Sequence, residues 1–321
     1  MTTAQESSIT TAVLKDAQDV FKDIGHNVIF AVLRFKREDP TAELAAARET
    51  FDRLPALIRS MNIRAADDGL RCAMGVSNEG WDYLFPGMAK PKELETFAGL
   101  PGEPHSMPAS GGDLFFHLRA NSEAVVYELM DQIRGFLADT VTVVDATHGF
   151  RYFEGRAIIG FIDGTEAPAV SESADYAIVG DEDPDFAGGS YAFAQKWLHD
   201  MGHWRGLKTE AQEKVVGRQK FTDIELDDDQ KDTHTHNNAS KIEIDGEEKK
   251  IVRMNVPFSN PAEQQTGTYF IGYARHWTIT RAMLVQMVER DDALLSFSTL
   301  LSGQLFFVPS WSRLALMAES E

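Results

Sequence analysis

The chain has 321 residues, of which 43% are hydrophobic and 25% charged, and its formal charge at pH 7 is −19. This balance is typical of a soluble globular protein that forms one large domain or two ordinary ones. The acidic excess argues against nucleic acid as a partner, because such an interface needs a basic stripe. The single cysteine, Cys72, excludes an intramolecular disulfide, a cysteine-based zinc site and an iron–sulfur cluster held by this chain alone.

The sequence gives no sign of export or membrane insertion. Residues 1–6 (MTTAQE) have neither the basic nor the apolar part of a signal peptide. No apolar run approaches the roughly 18 residues that span a bilayer. We therefore predict a cytoplasmic protein that does not associate with a membrane.

Elements of secondary structure follow one another regularly along the chain. Apolar and alternating runs predict strands at residues 27–35, 70–76, 113–119, 140–146, 189–198, 251–255 and 269–275. The spacing of apolar residues predicts helices at residues 41–61, 122–136, 208–218 and 278–288. Residues 226–250 are acidic and polar and predict a long loop, which in a compact domain is often functional.

An internal repeat relates the two halves of the chain. The strand at 113–119 and the helix after Ser122 align without gaps with the strand at 269–275 and the helix after Thr278. Strand–helix–strand–strand–helix–strand order fits a ferredoxin-like module. We predict an α+β protein of two such modules, residues 1–150 and 151–321, whose antiparallel sheets pack face to face and leave a cavity at the junction.

An acid on a tight turn is the first candidate for chemistry. Asp163 follows the apolar, strand-like run at 157–161 and is flanked by glycines at 160 and 164. Glycines let a backbone turn tightly or approach a ligand closely, and a carboxylate held in this way suits proton transfer. A turn aspartate that closes a β-strand explains the same pattern.

Two further segments of the second half contain candidate residues. His234 and His236 lie two residues apart in the predicted loop, where they could bind a metal or haem iron or be solvated. Arg253 lies in an alternating apolar run, so it points either to solvent or into a site with an anionic partner. Asn255 would share its face. The sequence has no serine nucleophile elbow, P-loop or dinucleotide-binding glycine motif.

Together these segments resemble a known family. The segment G-F-I-D-G-T-E-A-P at 160–168 resembles the G-x-x-D-G signature of dye-decolourising peroxidases, the haem enzymes of the dimeric α+β barrel superfamily. The similarity continues at residues 215–218 (VVGR), 235–236 (TH), 251–258 (IVRMNVPF), 267–275 (GTYFIGYAR) and 305–310 (LFFVPS). Without long insertions, the chain is most similar to the bacterial B-type branch.

The resemblance implies one haem b per chain, bound in the C-terminal half. It implies that His236 is the axial ligand of the iron, with His234 as the fallback. Asp163 is then the distal acid and base, Arg253 its distal partner, and Asn255 a residue that helps to hold a distal water or peroxide.

The resemblance also implies the surroundings of the cofactor. Arg218 would meet a haem propionate, and the backbone at Gly164 and Thr165 would line the same edge. Three apolar residues would pack on the porphyrin, although core packing explains them equally well: Phe258, Leu305 and Phe307.

The implied function is reduction of hydrogen peroxide with oxidation of dyes, phenols or other bulky organic reductants, by a homo-oligomer that is a dimer or larger. One alternative is a haem-binding or haem-handling protein with incidental peroxidase activity. Another is a ferredoxin-like interaction module with no cofactor.

The chain departs from the family pattern in two places. The family segment D-R-L-L-D-F-S reads D-A-L-L-S-F-S at 292–298, with Ser296 in place of the second acid. The hydrogen bond to the proximal histidine is then weaker or comes from elsewhere, and we predict a higher Fe(III)/Fe(II) potential than in relatives with the acid. Only residues 311–321 follow Ser310, so we expect that the protein is unlikely to be encapsulin cargo.

Overall fold

The computed structural model describes residues 9–20, 25–165 and 167–320. The N-terminal residues 1–6 considered above lie outside the described residues, as do Glu166 of the G-F-I-D-G-T-E-A-P segment and the extreme ends of the two predicted modules. Eleven strands form in the described ranges: β1 (Asn27–Phe35), β2 (Arg71–Ser77), β3 (Leu114–Ala120), β4 (Val141–Phe150), β5 (Ser190–His199), β6 (Ile242–Ile244), β7 (Glu247–Lys249), β8 (Val252–Asn260), β9 (Gln265–Ala274), β10 (Ser298–Leu300) and β11 (Gln304–Val308).

The same ranges contain ten α-helices. They are α1 (Thr11–Asp16), α2 (Pro40–Arg64), α3 (Asn78–Leu84), α4 (Glu123–Leu137), α5 (Ser173–Ala177), α6 (Met201–Gly206), α7 (Thr209–Val216), α8 (His236–Ser240), α9 (Trp277–Glu289) and α10 (Trp311–Glu319). None of these helices is both long enough and apolar enough to cross a bilayer. A cytoplasmic location stays a prediction.

The main sheet closes on itself. Its strand order is β10-β5-β11-β2-β3-β1-β4-β8-β9, and β9 also pairs with β5, so that eight strands form an antiparallel barrel. Strands β1 to β4 form one half of the barrel, and β5, β8, β9 and β11 form the other. The halves join where β4 pairs with β8 and where β2 pairs with β11. The α+β class is confirmed, but one closed sheet replaces the two separate sheets that were predicted.

Aromatic side chains fill the interior of the barrel. Phe30 stacks on Tyr269 with 4.0 Å between ring centroids, and Phe115 stacks on Phe306 at 5.0 Å. All four residues belong to a buried cluster to which both halves of the barrel contribute. The prediction of a cavity at the junction of the two sheets is therefore wrong, because the space between them is occupied by packed side chains.

Strand β8 shows how the sequence separates the inside of the barrel from the outside. Val252, Met254 and Val256 are buried in the barrel cluster, whereas Arg253 and Asn255 alternate with them and are only partly buried. Side chains of successive residues point to opposite faces of a strand. Arg253 and Asn255 therefore lie on the outer face, which α8, α9 and the loop before residue 165 cover.

Most predicted elements agree with the structure to within a few residues, and β1 matches its prediction in full. Residues 157–161 are an exception: they form no strand but an irregular loop that is held by single bridges, such as that between Arg156 and Ile162. Residues 226–250 are not a plain loop either, since they contain α8 and the hairpin β6–β7. Asp245 and Gly246 both have positive φ at the turn of that hairpin, and Asp-Gly is a frequent pair in such turns.

A substitution at Gly267 tests the closure of the barrel. It pairs with Leu198 of β5 and with Phe258 of β8, and a Cβ at this position would overlap the carbonyl oxygen of Trp197 and the Phe258 ring. We expect Gly267→Ala to lower the free energy of unfolding by about 1–3 kcal/mol, measured by urea denaturation, because the strands must move apart.

Gly135→Ala is the matched control. Gly135 lies in α4, and a Cβ there meets no atom within 4 Å. This substitution should instead raise the free energy of unfolding by up to about 1 kcal/mol, since alanine favours a helix more than glycine does. Equal effects of the two substitutions would contradict the close approach of the strands at Gly267.

Candidate functional site

A large cavity lies on the outer face of the C-terminal half of the barrel. Its empty volume, including its solvent-facing mouth, is about 990 Å³, within the range typical of pockets for organic molecules. One part of the wall is apolar and comprises Ile159, Phe161, Val216, Phe270, Met283, Leu284, Met287 and Leu294. The polar side chains of the wall include Asp163, Gln195, His199, Arg218, His236, Arg253 and Asn255.

Asp163 is held by two hydrogen bonds from a single residue. The backbone N–H of Asn255 donates to Oδ2 at 2.9 Å, and the side-chain amide of Asn255 donates to Oδ1 at 2.6 Å. Gly164 follows with φ of +81°, a conformation that favours glycine. Both carboxylate oxygens are therefore fixed toward β8, and the turn that carries Asp163 forms part of the cavity wall.

Burial decides the pKa of Asp163. Removal from water raises the pKa of this carboxyl above its ordinary value of 3.8, although the hydrogen bonds from Asn255 and the positive charge of Arg253 both act to lower it. The net direction is nevertheless upward, because desolvation is the largest contribution.

Arg253 fits both of the interpretations that the sequence left open, an outward strand residue and a residue that points into a site. Its side chain points away from the barrel interior, as that of an outward strand residue does, yet it lines the cavity and is only partly exposed. Asn255 lies on the same face two residues later. Arg253 therefore places a positive charge beside Asp163 in the cavity wall.

His236 is the histidine that the structure brings to the cavity from the polar segment. It is the first residue of α8, and its Nδ1 lies 2.7 Å from Oδ2 of Asp292. Asp292 is fully buried, and its Oδ1 accepts a hydrogen bond from the backbone N–H of Leu294 at 2.9 Å. With Nδ1 bound in this way, Nε2 is the ring nitrogen left for a ligand in the cavity.

His234 is placed differently. Its side chain is exposed, its Nδ1 lies 3.3 Å from the carbonyl oxygen of Asp291, and it does not line the cavity. The structure thus distinguishes the two histidines, which their spacing of two residues in the sequence could not do.

The carboxylate beside His236 corrects the expectation about Ser296. Ser296 is exposed, and its hydroxyl lies 3.4 Å from Nε2 of His105, away from His236. The first acid of the D-A-L-L-S-F-S segment, Asp292, makes the hydrogen bond to His236 instead. The hydrogen bond therefore comes from elsewhere in the segment, and the prediction of a raised iron potential loses its basis.

Arg218 contributes a second positive charge to the cavity. Its Nε donates to Oδ1 of Asp223 at 3.1 Å, and its Nη2 donates to the carbonyl oxygen of the same residue at 2.9 Å. Together with the residues above, seven of the predicted site residues line one cavity: Asp163, Gly164, Thr165, Arg218, His236, Arg253 and Asn255.

Three predicted apolar contacts do not reach the cavity. Phe258 is buried in the barrel interior because it shares the inner face of β8 with Val256. Phe307 packs against Trp81 and Tyr191, and Leu305 belongs to the same large core cluster. The expectation that Phe258, Leu305 and Phe307 pack on a porphyrin is therefore corrected: an apolar strand residue does not reveal by its type which side of the sheet it covers.

The apolar wall comes from residues that the sequence analysis did not select. Met283, Leu284 and Met287 line the cavity from α9, and their spacing of three and four residues is that of one helix face. That periodicity was visible in the sequence, but it is equally typical of ordinary core packing.

His199 is a second histidine of the cavity wall, and it is buried. Its Nδ1 lies 2.9 Å from the Ser298 hydroxyl and its Nε2 lies 2.8 Å from the Thr268 hydroxyl. Burial lowers its pKa from 6.5 to about 4. The neutral ring is therefore the form that the fold accommodates.

The shifted pKa of His199 predicts a pH-dependent stability. Its contribution is fully present above its unfolded pKa of 6.5 and is lost as the pH falls toward 4, because the unfolded state binds the proton more readily. The loss approaches about 3 kcal/mol across this window. Urea unfolding at a series of pH values should show a smaller acid-side loss for His199→Gln than for the wild type.

His148→Gln is the control, since His148 is exposed on β4. It should keep the acid-side loss of the wild type. The same pH dependence in His199→Gln and the wild type would show that His199 does not stay neutral in the fold.

Family models and known proteins match this chain over most of its length. The model described as Dyp-type peroxidase, N-terminal, matches residues 17–151, and the model described as Dyp-type peroxidase, C-terminal, matches residues 154–313. A dye-decolorizing peroxidase from Mycolicibacterium paratuberculosis is 44% identical over 272 residues, which are 83% of this chain and 77% of that protein.

Solved structures agree with the sequence matches. A dye-decolorizing peroxidase from Bacteroides thetaiotaomicron is 44% identical, with a TM-score of 0.89 over 94% of this chain and 98% of that chain. A variant of DypB from Rhodococcus jostii RHA1, solved in complex with heme, is 40% identical, with a TM-score of 0.88 over 93% of this chain and 98% of that chain.

The encapsulated DyP-type peroxidase from Mycobacterium smegmatis is similar too. It is 39% identical, with a TM-score of 0.89 over 93% of this chain and 97% of that chain. The expectation that encapsulin cargo is unlikely was therefore wrong, because the few residues after Ser310 give no ground to exclude encapsulation for a protein this similar. By its family models, its relatives and its fold, the chain belongs to the dye-decolorizing, or Dyp-type, peroxidase family.

Proposed function

We propose that this protein is a haem peroxidase that reduces hydrogen peroxide and oxidises dyes, phenols or other bulky organic reductants. The observation that carries the proposal is the pairing of His236 with the buried Asp292 on the same cavity that contains Asp163, Arg253 and Asn255. Membership of the family supports it. We further infer that the two halves are related ferredoxin-like modules, since their strands follow the same spatial order, and that the haem belongs to the C-terminal one.

The residues of the cavity suit a haem b. A histidine whose Nδ1 is held by a carboxylate would hold haem iron through Nε2, and His236 has this arrangement. The apolar wall offers Phe161, Phe270 and Leu294 to a porphyrin face, and Arg218 offers a positive charge to a propionate. When bound, the haem supplies the iron centre that receives the oxidising equivalents of peroxide.

The remaining polar residues of the cavity can move a proton and stabilise charge. Asp163, as a carboxylate, would accept a proton from one oxygen of hydrogen peroxide and return it to the other oxygen, which leaves as water when the O–O bond breaks. Asn255 holds both oxygens of Asp163 and so fixes the direction of that transfer. The positive charge of Arg253 stabilises the negative charge that develops on the departing oxygen.

The raised pKa of Asp163 fits this role. A group that takes up and returns a proton works best when its pKa lies near the working pH, and burial moves this carboxyl in that direction. The hydrogen bonds from Asn255 limit the shift, so that the carboxylate remains available as a base.

The distal assignment predicts the effect of two substitutions on peroxide turnover. Asp163→Ala should lower kcat/KM for hydrogen peroxide by about 10²–10⁴, and Arg253→Ala by about 10²–10³, because each removes one of the groups described above. Stopped-flow absorbance of the haem-loaded proteins after mixing with peroxide measures both. The exposed residues Asp139 and Arg59, changed to alanine, serve as controls and should leave the rate unchanged.

Full turnover in both distal variants would contradict the assignment. If these variants bind haem and turn over peroxide like the wild type, the alternative of a haem-binding protein with incidental peroxidase activity becomes the better description.

The proximal assignment predicts different spectra for the two histidine variants. Resonance Raman spectra of haem-loaded His236→Ala should lack the iron–imidazole stretching band, because no ring nitrogen reaches the iron, and added imidazole should restore it. His234→Ala should keep the wild-type spectrum, since its side chain is exposed outside the cavity. Loss of the band in His234→Ala alone would reverse the assignment.

A further inference from the structure

A smaller pocket adjoins the cavity. This side pocket has an empty volume of about 400 Å³ including its opening, and four residues line both it and the cavity: Asn237, Ser240, Arg253 and Met283. We propose that the side pocket binds a small oxyanion, such as phosphate or a carboxylate, and that the bound anion slows the reaction of peroxide in the cavity. The effect on peroxide rests on the proposed function, whereas the binding site does not.

Four elements form the walls of the side pocket. They are the end of α8, the hairpin β6–β7, the beginning of β8 and one face of α9. Gln286 of α9 connects two of them, since its side-chain amide donates to the carbonyl oxygens of Ala239 at 2.9 Å and Lys241 at 2.6 Å. The chain between α8 and the hairpin is therefore held against α9.

Ser240 has a hydroxyl group that no protein group uses. The residue is only 6% exposed, and its side chain has no hydrogen-bond partner among the residues that the structure describes. Its hydroxyl oxygen is not among the polar atoms that the protein encloses completely, and the open space beside it is that of the two pockets. A nearly buried hydroxyl without a partner is costly. A ligand whose oxygen accepts its hydrogen bond removes that cost.

Positive side chains outnumber negative ones around the side pocket. Lys241, Lys249 and Lys250 line it together with Arg253, against the lining carboxylate of Glu248. The Glu248 carboxylate lies 3.7 Å from the ammonium group of Lys241 and 3.9 Å from that of Lys250. One carboxylate shared at these distances offsets only part of the charge of two lysines.

The arrangement of charges favours an anion over hydrogen peroxide. The ammonium group of Lys249 lies 2.7 Å from Glu247, which does not line the pocket, so Lys241 and Lys250 are the lysines best placed for a ligand. Because the whole chain carries −19, a positive pocket on it concentrates anions locally. Hydrogen peroxide is neutral and gains nothing from these charges.

Arg253 connects a ligand of the side pocket with the chemistry of the cavity. Its positive charge acts on Asp163, and in the proposed function it stabilises the charge that develops on the departing oxygen. An anion bound beside Arg253 offsets this positive charge. The reaction then slows although the anion does not occupy the position of the peroxide, so a higher peroxide concentration does not restore the rate.

Calorimetric titration of the haem-loaded protein with inorganic phosphate tests the site, with sodium chloride added to keep the ionic strength constant. We expect saturable binding with which acetate competes. Ser240→Ala and the double variant Lys241→Gln/Lys250→Gln should each raise the dissociation constant for phosphate about threefold or more. Lys15→Gln/Lys36→Gln, which changes two exposed lysines of the N-terminal half, is the matched control and should bind phosphate like the wild type.

Stopped-flow absorbance tests the effect on peroxide. Saturating phosphate should lower the rate constant for the reaction of peroxide with the haem-loaded protein about threefold or more, at every peroxide concentration. Lys241→Gln/Lys250→Gln should need about threefold more phosphate for half of this effect. Circular dichroism reports whether this double variant keeps the fold, and Ser240→Ala carries the test if it does not.

Three outcomes would overturn the proposal. Phosphate binding that neither Ser240→Ala nor Lys241→Gln/Lys250→Gln weakens places the anion elsewhere. Phosphate binding to the haem-free protein alone assigns the hydroxyl and the lysines to a propionate of the cofactor. Phosphate that binds as expected but leaves the peroxide rate unchanged contradicts the coupling through Arg253. If the haem-loaded wild type binds phosphate as expected but does not react with peroxide, the proposed function fails and the binding site stands.

Discussion

The hydrogen bonds between Asp163 and Asn255 are the contact on which the site depends. They attach the irregular loop before residue 165 to the outer face of β8, which the closed barrel holds in place. Arg156 secures the other side of the loop, because its Nη1 donates to the carbonyl oxygens of Gly160 at 2.9 Å and Lys220 at 2.8 Å. The loop forms part of the cavity wall. Loss of the Asn255 contact would therefore disturb the wall of the cavity.

Asp163 in the cavity wall and Asp292 behind His236 illustrate opposite uses of burial. Asp292 has no exposed surface, and its oxygens are engaged by His236 and by the backbone of Leu294, so it has a fixed structural partner. Asp163 is also hydrogen-bonded, but it remains partly accessible and its pKa is raised. A carboxylate that orients a ring needs only a partner, whereas one that exchanges protons needs both access and a shifted pKa.

The sequence predicted the elements and the polar residues better than their surroundings. Strand β1 and the pairing of Arg253 with Asn255 on one face follow from local periodicity, which needs no knowledge of the partners. Phe258 was misplaced because the prediction used its apolar type and not its register, although the alternation of β8 puts it on the face opposite Arg253 and Asn255. Ser296 was overvalued because the family pattern has two acids in this segment and does not show which of them reaches the histidine. The closure of β9 onto β5 depends on contacts about 75 residues apart in the chain, beyond the reach of any local pattern.

The small hydrophobic cluster beside the cavity would couple the binding of a cofactor to the stability of the fold. Ile159, Phe161, Trp204, Val216 and Leu294 form a core that is separate from the two large ones, and all but Trp204 also line the cavity. Their cavity-facing sides have no protein atoms to pack against, so a porphyrin that fills the space would complete this core. A ligand that binds only the folded state stabilises it in proportion to its affinity. Binding would stabilise this cluster more than the barrel, whose interior is already filled with side chains.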